Sequence, residues 1–396
     1  MDKRRIYFDH AATTPVRREV LEKMLPYFSE VFGNANSQHA YGRDAVKALD
    51  EARDTVARLI NAKPSEIYFT SGGTEADNWA LRGTARALKE KGKHLIVSSV
   101  EHPAMLATAK QLEKDGYEVT YLPVDETGTV SPESVKNAVR DDTIFIGVMT
   151  ANNEVGTVQP IREIAAIAKE KKIVMFTDAV QAAGVLKLDV KELGVDMMSF
   201  SGHKFYGPKG IGVLYIKSGV KIDPVMTGGH QERMKRGGTS NVPAIVGMAE
   251  AFRLANEEME KNAAYVKALR DRFISGVEKR IPDVKLNGHR TNRLPANADF
   301  SFKYIEGESI LFHLDLAGIA VSSGSACSSG SLEPSHVLLA MGVPEETAHG
   351  SIRFTFGTDN TEEEVDYAVN VLAETVEKLR AMSPLFKILE GEKQYV

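Results

Sequence analysis

The stretch KIVMFTDAVQAAGVLKLDVKELGVDMMSFSGHKFYGPKGIGVLYI, residues 172 to 216, contains three short apolar runs separated by more polar sequence. These runs are KIVMFTD (172 to 178), MMSFSG (197 to 202) and GIGVLYI (210 to 216). Runs so uniformly apolar are typical of strands that are buried on both faces of a mostly parallel sheet. We therefore predict an α/β domain built around this stretch.

The sequence before this stretch has the same character. Three more apolar runs, EIYFT (66 to 70), HLIVSS (94 to 99) and TIFIGVM (143 to 149), alternate with helical segments. One such segment places Ile161, Ile164, Ala165 and Ala168 at the 3.6-residue period of a helix that packs one apolar stripe against a sheet. The predicted α/β domain therefore begins well before residue 172.

The element pattern changes near residue 250. The periodicity predicts one long helix over about 241 to 280, then a few strands and helices, and a final helix that begins with a capping box at Thr361 and Glu364. This order predicts a smaller α+β domain. We assign residues 16 to 255 to the large domain and 256 to 396 to the small one, against which residues 1 to 15 are expected to pack.

Composition narrows the range of functions. The chain has 396 residues, of which 43% are hydrophobic and 26% charged, and a net charge of −5 without a basic footprint, so we expect no direct contact with nucleic acid. We find no signal peptide and no apolar run of the roughly 18 residues that a membrane helix requires, so a cytoplasmic protein without a membrane contact is expected. A single cysteine excludes an intramolecular disulfide framework.

Two charged residues follow predicted strands. Lys204 lies in SFSGHKFYGPKG (199 to 210), where it is either a solvated loop lysine or an amine that reacts with a carbonyl cofactor. Asp178 ends the strand KIVMF, where a buried carboxylate needs a partner. The protonated ring nitrogen of pyridoxal phosphate would be such a partner, and the alternative is an aspartate that caps the next helix.

Two further segments suit the same cofactor. In SGGTEADN (71 to 78), two glycines and Thr74 precede a helix whose free N–H groups could hold a phosphate, although such a pair before a helix is common. His102, in SSVEHPA (98 to 104), either has a structural role or lies against the cofactor ring. All of these segments come at strand ends of one predicted sheet, which is where ligands bind in such folds.

The cysteine itself, Cys327, lies in VSSGSACSSGSLEPSHVL, a stretch of small polar residues. An inert buried thiol usually lies in an apolar run, so this composition favours a reactive thiol over a structural one. A segment of small residues would let the sulfur reach a substrate and then an acceptor. The thiolate is the attacking form, and either His102 or the bound substrate could deprotonate the thiol.

Ten motifs occur in order along the chain: YFDHAATTP, FGNANSQH, TSGGTEADN, VEHPA, ANNEVGTVQP, TDAVQ, SFSGHKFYGPKG, RGGTSNVP, SSGSACSSG and GSIRFTFG. Together they resemble the cysteine desulfurases that supply sulfur for iron–sulfur cluster assembly, a branch of the class V aminotransferases with a long active-site segment. The resemblance extends from about residue 5 to 387.

The resemblance implies pyridoxal-phosphate-dependent transferase fold type I, which is aspartate aminotransferase-like. Such a fold has a large domain with a mostly parallel seven-stranded sheet and a smaller α+β domain. Members are usually homodimers with active sites at the subunit interface.

The resemblance also implies roles for individual residues. Lys204 is expected to hold pyridoxal 5'-phosphate as a Schiff base, with Asp178 on the ring nitrogen, Gln181 on the phenolate oxygen and His102 stacked on the ring as an acid and base. The residues expected to bind the phosphate are Gly73, Thr74, Ser201 and His203, with Thr239 from the other subunit. Those expected at the substrate carboxylate are Asn153, Arg353 and Asn34, and Asn153 also counts as a cofactor contact.

The expected reaction converts L-cysteine to L-alanine and leaves a persulfide on Cys327, which passes its sulfur to an iron–sulfur scaffold protein or another acceptor. The MSPLF sequence ending at residue 386 resembles the scaffold-docking tail of this branch. Beyond a transient role for Cys327 as an iron–sulfur ligand, no metal site is expected. The alternatives are a selenocysteine lyase, another class V aminotransferase-type enzyme, and a noncatalytic sulfur carrier that has lost the cofactor.

Overall fold

The computed structural model describes residues 5 to 323, 333 to 384 and 386. Within these ranges the strands are β1 (Ile6–Tyr7), β2 (Ile67–Thr70), β3 (His94–Ser98), β4 (Glu118–Leu122), β5 (Thr143–Gly147), β6 (Val174–Asp178), β7 (Met197–Ser201), β8 (Gly212–Ile216), β9 (Val284–Asn287), β10 (Asn297–Phe302), β11 (Ile319–Ala320) and β12 (Ser351–Thr355).

The α-helices of the same ranges are α1 (Arg18–Met24), α2 (Pro26–Ser29), α3 (Ala40–Leu59), α4 (Gly73–Ala87), α5 (Pro103–Lys114), α6 (Pro132–Ala138), α7 (Ile161–Glu170), α8 (Val190–Leu193), α9 (Gln231–Met234), α10 (Val242–Glu257), α11 (Met259–Arg280), α12 (Gly307–Leu316), α13 (His336–Ala340), α14 (Glu345–Ala348) and α15 (Glu362–Met382). Short 3₁₀ turns occupy Pro64–Glu66 and Gly202–Lys204. None of these helices has both the length and the apolarity needed to cross a membrane.

Seven strands form one sheet in the order β2-β8-β7-β6-β5-β3-β4. Every pairing from β7 to β4 is parallel, and β8 runs antiparallel to both of its neighbours. The mostly parallel seven-stranded sheet is therefore confirmed. Because its parallel strands all end at one edge, the loops that follow them meet there.

The sheet is buried on both faces, as its uniformly apolar strands predict. Alternate residues of a strand enter two different cores: Met197 of β7 packs on the side of α4 and α5, whereas Met198 packs on the side of α3, α7 and α10. The predicted stripe of α7, from Ile161 to Ala168, is buried in the second of these cores.

The smaller body contains an antiparallel sheet in the order β12-β10-β9 and the parallel pair β1-β11. Its core includes residues of α11, α12 and α15 together with Ile6 and Phe8 from the start of the chain. The predicted capping box of α15 is present, because Thr361 Oγ1 accepts from Glu364 N and Glu364 Oε2 accepts from Thr361 N.

The prediction of one helix over 241 to 280 is wrong. The structure has two helices, α10 and α11, which meet at Glu258. The carboxylate of Glu258 accepts hydrogen bonds from Arg17 at 2.7 and 3.2 Å. The helix break therefore coincides with a contact to a distant part of the chain, and the local sequence NEEMEKN contains no proline or glycine that would indicate it.

Candidate active site

Three predicted site residues follow three strands of the large sheet. Asp178 is the last residue of β6, Lys204 ends the 3₁₀ turn after β7, and His102 follows β3 as the N-cap of α5. All three strands are parallel and end at one edge of the sheet. The topology therefore brings these residues to the edge at which such folds bind ligands.

The side chain of Lys204 is held by the N-terminal segment. Its Nζ donates to the carbonyl oxygens of Ala11 at 2.6 Å and Ala12 at 2.8 Å. Gln181 Nε2 donates to the same Ala11 carbonyl at 3.0 Å. The alternative of a solvated loop lysine is therefore wrong, since the amine is positioned by two backbone acceptors and lies beside Gln181.

Asp178 is almost fully buried, with 4% of its surface exposed. Burial raises the pKa of its carboxyl to about 6, while a hydrogen bond from Val180 N and the positive charge of Lys204 act in the opposite direction. The Val180 bond, 2.8 Å to Oδ1, shows that one oxygen fixes the turn after β6. A cationic ring nitrogen near this carboxylate would favour its ionised form further.

His102 is a neutral imidazole in this arrangement. Burial, the positive charge of Lys204 and a smaller electrostatic effect of His336 together lower its pKa to about 4. Its Nδ1 accepts a hydrogen bond from Ala104 N at 3.1 Å, so the ring proton is carried by Nε2. His102 therefore offers a donor at Nε2, and it can take up a second proton only by losing the bond from Ala104.

A cradle for an anion lies at the start of α4. Gly72 has a φ of +155°, a conformation that favours glycine, and a Cβ at Gly73 would lie 2.8 Å from Val180 Cγ2. The polar residues that line the cradle are Thr13, Ser71, Thr74, Glu75, Ser201, His203 and Lys209. The first N–H groups of α4 have no partners within the helix and carry its positive dipole end.

This donor set fits a phosphate ester. The helix N-terminus, several hydroxyl groups and the cationic Lys209 surround the cradle, as a dianion requires. His203, whose Nδ1 lies 3.1 Å from Thr13 Oγ1, has its pKa lowered to about 4 by burial and by the charges of Lys204 and Lys209. Lys209, exposed in the same SFSGHKFYGPKG motif that predicted Lys204, is a cradle residue that our sequence analysis missed.

Arg353, on β12, links the small body to the site. Its Nη1 donates to the carbonyl oxygen of Asn153 at 2.8 Å, and its Nη2 donates to Asp9 Oδ1 at 3.0 Å. Its Nε is buried and has no hydrogen-bond partner among the residues that the structure describes. Arg353 and Asn153 are therefore neighbours, as the predicted carboxylate site requires.

Three predicted residues make no described contact with this group. Asn34 lies in an exposed turn, where its Oδ1 accepts from Asn36 N at 2.9 Å. Thr239 is exposed, and the described cradle of its own chain does not include it. Cys327 lies outside the described residues.

Two acids beside the site, Glu101 and Glu154, are buried, and no feature of the sequence indicates this burial. Glu101, directly before His102, accepts from Ser98 Oγ at 2.6 Å and from Met149 N at 2.7 Å, and burial raises its pKa to about 8. Glu154, directly after Asn153, accepts from Ser335 Oγ, and burial raises its pKa to about 7.

A lysine, an aspartate and an anion-binding helix N-terminus at one edge of a mostly parallel sheet define a pyridoxal-phosphate enzyme of the aspartate aminotransferase-like fold. The family profile described as Aminotransferase class-V matches residues 6 to 368. The chain belongs to this family and, within it, to the cysteine desulfurases.

Two relatives support the assignment of the chain to the cysteine desulfurases. It is 57% identical over 382 residues to a cysteine desulfurase IscS of Dictyoglomus turgidum, covering 96% of this chain and 97% of that protein. It is 55% identical over 384 residues to a cysteine desulfurase IscS of Methanosarcina thermophila, covering 97% and 95%.

Solved structures agree with this placement. A NifS-like protein superposes with a TM-score of 0.90 at 40% identity, covering 95% of this chain and 100% of that one. A NifS-like protein from Rickettsia africae gives a TM-score of 0.84 at 28% identity, covering 95% and 99%. The fold is therefore that of pyridoxal-phosphate-dependent transferase fold type I, as the motifs predict.

Proposed function

We propose that the residues described above carry out the desulfuration of L-cysteine to L-alanine, with Cys327 as the first sulfur acceptor. The observation that carries this proposal is the convergence of Lys204, Asp178 and His102 at the edge of the sheet that also holds the α4 cradle. A noncatalytic sulfur carrier would have no need for a buried acid and a positioned amine at that edge.

The residues at this edge would hold the cofactor as the family resemblance implies. Lys204 would bond it covalently, Asp178 would pair with its ring nitrogen, Gln181 would donate to its phenolate oxygen and His102 would lie against its ring. Gly73, Thr74, Ser201 and His203 would hold the phosphate, with Lys209 as a further cation. When bound, pyridoxal phosphate accepts the electron pair released from the substrate Cα–H bond.

The remaining steps involve the substrate and the thiol. Arg353 binds the substrate carboxylate together with the side chains of Asn153 and Asn34, for which the buried Arg353 Nε is a suitable donor. The Cys327 thiolate forms an S–S bond with the substrate sulfur, whose bond to carbon breaks. The carbon skeleton keeps that electron pair, takes up protons and leaves as alanine, so the reaction needs no external oxidant. Lys204 is the amine placed to return a proton.

A homodimer is part of the proposal. Between residues 21 and 41 the chain exposes several large apolar side chains by about half or more, and the rings of two of them, Phe32 and Tyr41, lie 5.5 Å apart. These side chains are Leu21, Leu25, Phe28, Phe32 and Tyr41. An apolar group of this kind is typical of an interaction surface. In the homodimer that the family resemblance implies, Thr239, which is exposed in its own chain, would contact the phosphate bound by the partner.

The acceptor and the location are also proposed. We expect the persulfide sulfur to pass to an iron–sulfur scaffold protein in the cytoplasm, with Cys327 as a transient cluster ligand at most. We keep residues 16 to 255 and 256 to 396 as the two domains and residues 1 to 15 as a segment of the small one. In favour of the last assignment, Ile6 and Phe8 lie in the core of the small body.

The function is tested by incubating the cofactor-loaded enzyme with L-cysteine and a thiol reductant. Alanine and sulfide should form in equal amounts, and the visible absorbance of the cofactor should change on mixing. Amino-group exchange with pyruvate or glutamate, without alanine formed from cysteine, would favour another enzyme of the class. A much higher turnover with L-selenocysteine would identify a selenocysteine lyase.

A further inference from the structure

Both ends of the segment that contains Cys327 are attached to parts of the active site. On the N-terminal side, Ser322 exchanges backbone hydrogen bonds with Arg353, at 3.3 Å and 2.7 Å. On the C-terminal side, Ser335 contacts Glu154 through its hydroxyl group. Cys327 lies five residues after Ser322 and eight before Ser335, so both contacts are close to it along the chain.

The hydroxyl group of Ser335 takes part in three hydrogen bonds. Ser335 is the N-cap of α13, and its Oγ accepts from Val337 N at 3.2 Å and Leu338 N at 3.3 Å. Because both lone pairs of the oxygen are occupied, its own proton is donated to Glu154 Oε2. Ser335 is 3% exposed and Glu154 is 4% exposed, so this hydrogen bond is shielded from water.

Helix α13 also contacts the loop that carries His102. The ring of His336 hydrogen-bonds through Nε2 to the carbonyl oxygen of Glu101 at 3.0 Å. Val337 and Leu338 pack in one small core with Val100 and Val155. The helix after the Cys327 segment therefore rests on the two loops that follow β3 and β5.

In each of those loops a residue that contacts α13 is the direct neighbour of a predicted site residue. Glu101 precedes His102, and Glu154 follows Asn153, whose carbonyl oxygen accepts from Arg353. A fixed distance between α13 and these loops is thus also a fixed distance between one end of the Cys327 segment and the substrate site.

We propose that Ser335 and Glu154 are positioning residues for the transfer of sulfur to Cys327. The contact fixes Ser335, eight residues after Cys327, on the loop that carries Asn153. We expect this attachment to raise the effective concentration of the thiol at the substrate sulfur. Neither residue touches the reacting atoms. This inference rests on the proposed function, in which Cys327 is the acceptor.

The experiment compares Ser335→Ala and Ser335→Thr with the wild-type chain, each as cofactor-loaded enzyme in a single turnover with L-cysteine. Two rates are measured: the change in cofactor absorbance, and the appearance of a Cys327 persulfide by acid quench and mass spectrometry. Ser335→Ala should leave the first rate within about twofold and slow the second about tenfold, and Ser335→Thr should recover most of the second. In steady state kcat should fall with little change in KM.

The matched control is Thr361→Ala, which removes an N-cap of the same kind from α15. Both alanine variants should lower the thermal midpoint, since an N-cap contributes about 1 kcal/mol in either helix, and Ser335→Ala should lower it more because it also loses the buried hydrogen bond to Glu154. Only Ser335→Ala should slow persulfide formation. Glu154→Gln should slow it less than Ser335→Ala, and the double variant no more than Ser335→Ala alone, because the two residues act as one unit.

Three results would overturn the inference: equal persulfide rates in Ser335→Ala and Thr361→Ala, an equal loss in the cofactor reaction and the persulfide step, or multiplied effects in the double variant. Failure of the proposed function itself looks different. In that case the wild-type chain would form no Cys327 persulfide at all.

Discussion

Lys204 and Gln181 donate hydrogen bonds to the same acceptor, the carbonyl oxygen of Ala11, at 2.6 and 3.0 Å. The two residues belong to different loops of the large sheet, and the acceptor comes from the start of the chain. The N-terminal segment therefore fixes the amine beside the amide that is proposed to contact the cofactor oxygen, before any cofactor binds.

Replacing Lys204 should separate cofactor binding from catalysis. In Lys204→Ala the α4 cradle and Asp178 are retained, so pyridoxal phosphate should still bind, but its absorbance band near about 400 nm should shift because no Schiff base forms with the protein. Alanine production should fall about a thousandfold or more. Spectra and alanine assays measure both effects, and a band unchanged from the wild type would show that another amine holds the cofactor.

The cradle lysine should affect affinity rather than chemistry. Lys209→Ala removes an exposed cation from the phosphate site, so the Kd for pyridoxal phosphate should rise about three- to tenfold while kcat at saturating cofactor stays the same. Titration of the apoenzyme measures this. The exposed Lys89 provides a control substitution to alanine, and an equal effect there would assign the change to net charge alone.

Arg353 should control cysteine binding. Arg353→Lys keeps the charge but loses the buried Nε donor and the two Nη contacts that orient it, so KM for L-cysteine should rise about tenfold or more. A matched change is Arg272→Lys, which alters an exposed pair with Asp366. The measurement is KM for L-cysteine in both variants. An unchanged KM in Arg353→Lys would show that the substrate carboxylate binds elsewhere.

Glu101 should make the enzyme less stable at alkaline pH. Burial raises its pKa in the folded chain to about 8, above the ordinary value of 4.5, so the folded state holds this proton more tightly than the unfolded state does. The stabilisation is complete below pH 4.5 and is lost as pH rises through 8. Glu101→Gln mimics the neutral form and keeps an oxygen for Ser98 and Met149, so its thermal midpoint should exceed that of the wild type by a few degrees near pH 9 and match it near pH 5. A midpoint that falls equally with pH in both proteins would contradict this.

Much of the fold could be predicted from the sequence because its signals are local. The apolar strands, the stripe of α7 and the capping box of α15 each depend on residues close together in the chain, and all are present. The break at Glu258 could not be predicted, since the contact with Arg17 joins segments 241 residues apart.

The residues of the candidate site can also be separated into those that have a signal in the sequence and those that do not. Lys204 and Asp178 were predictable because a charged residue at the end of a buried strand is unusual and needs a reason. The carbonyl acceptors of Ala11 and Ala12 were not, because a backbone oxygen leaves no trace in the sequence. Glu101 and Glu154 were missed because an acid in a loop is ordinary until its burial is known.

In the proposed reaction, Cys327 receives sulfur from L-cysteine. The most direct test is mass spectrometry of the intact, cofactor-loaded enzyme after brief exposure to L-cysteine without reductant, followed by peptide mapping. We predict an added mass of about 32 Da on Cys327, its loss on treatment with a thiol, and no such adduct in Cys327→Ser. Stoichiometric alanine with no added mass on Cys327, or undiminished alanine and sulfide from Cys327→Ser over many turnovers, would contradict it.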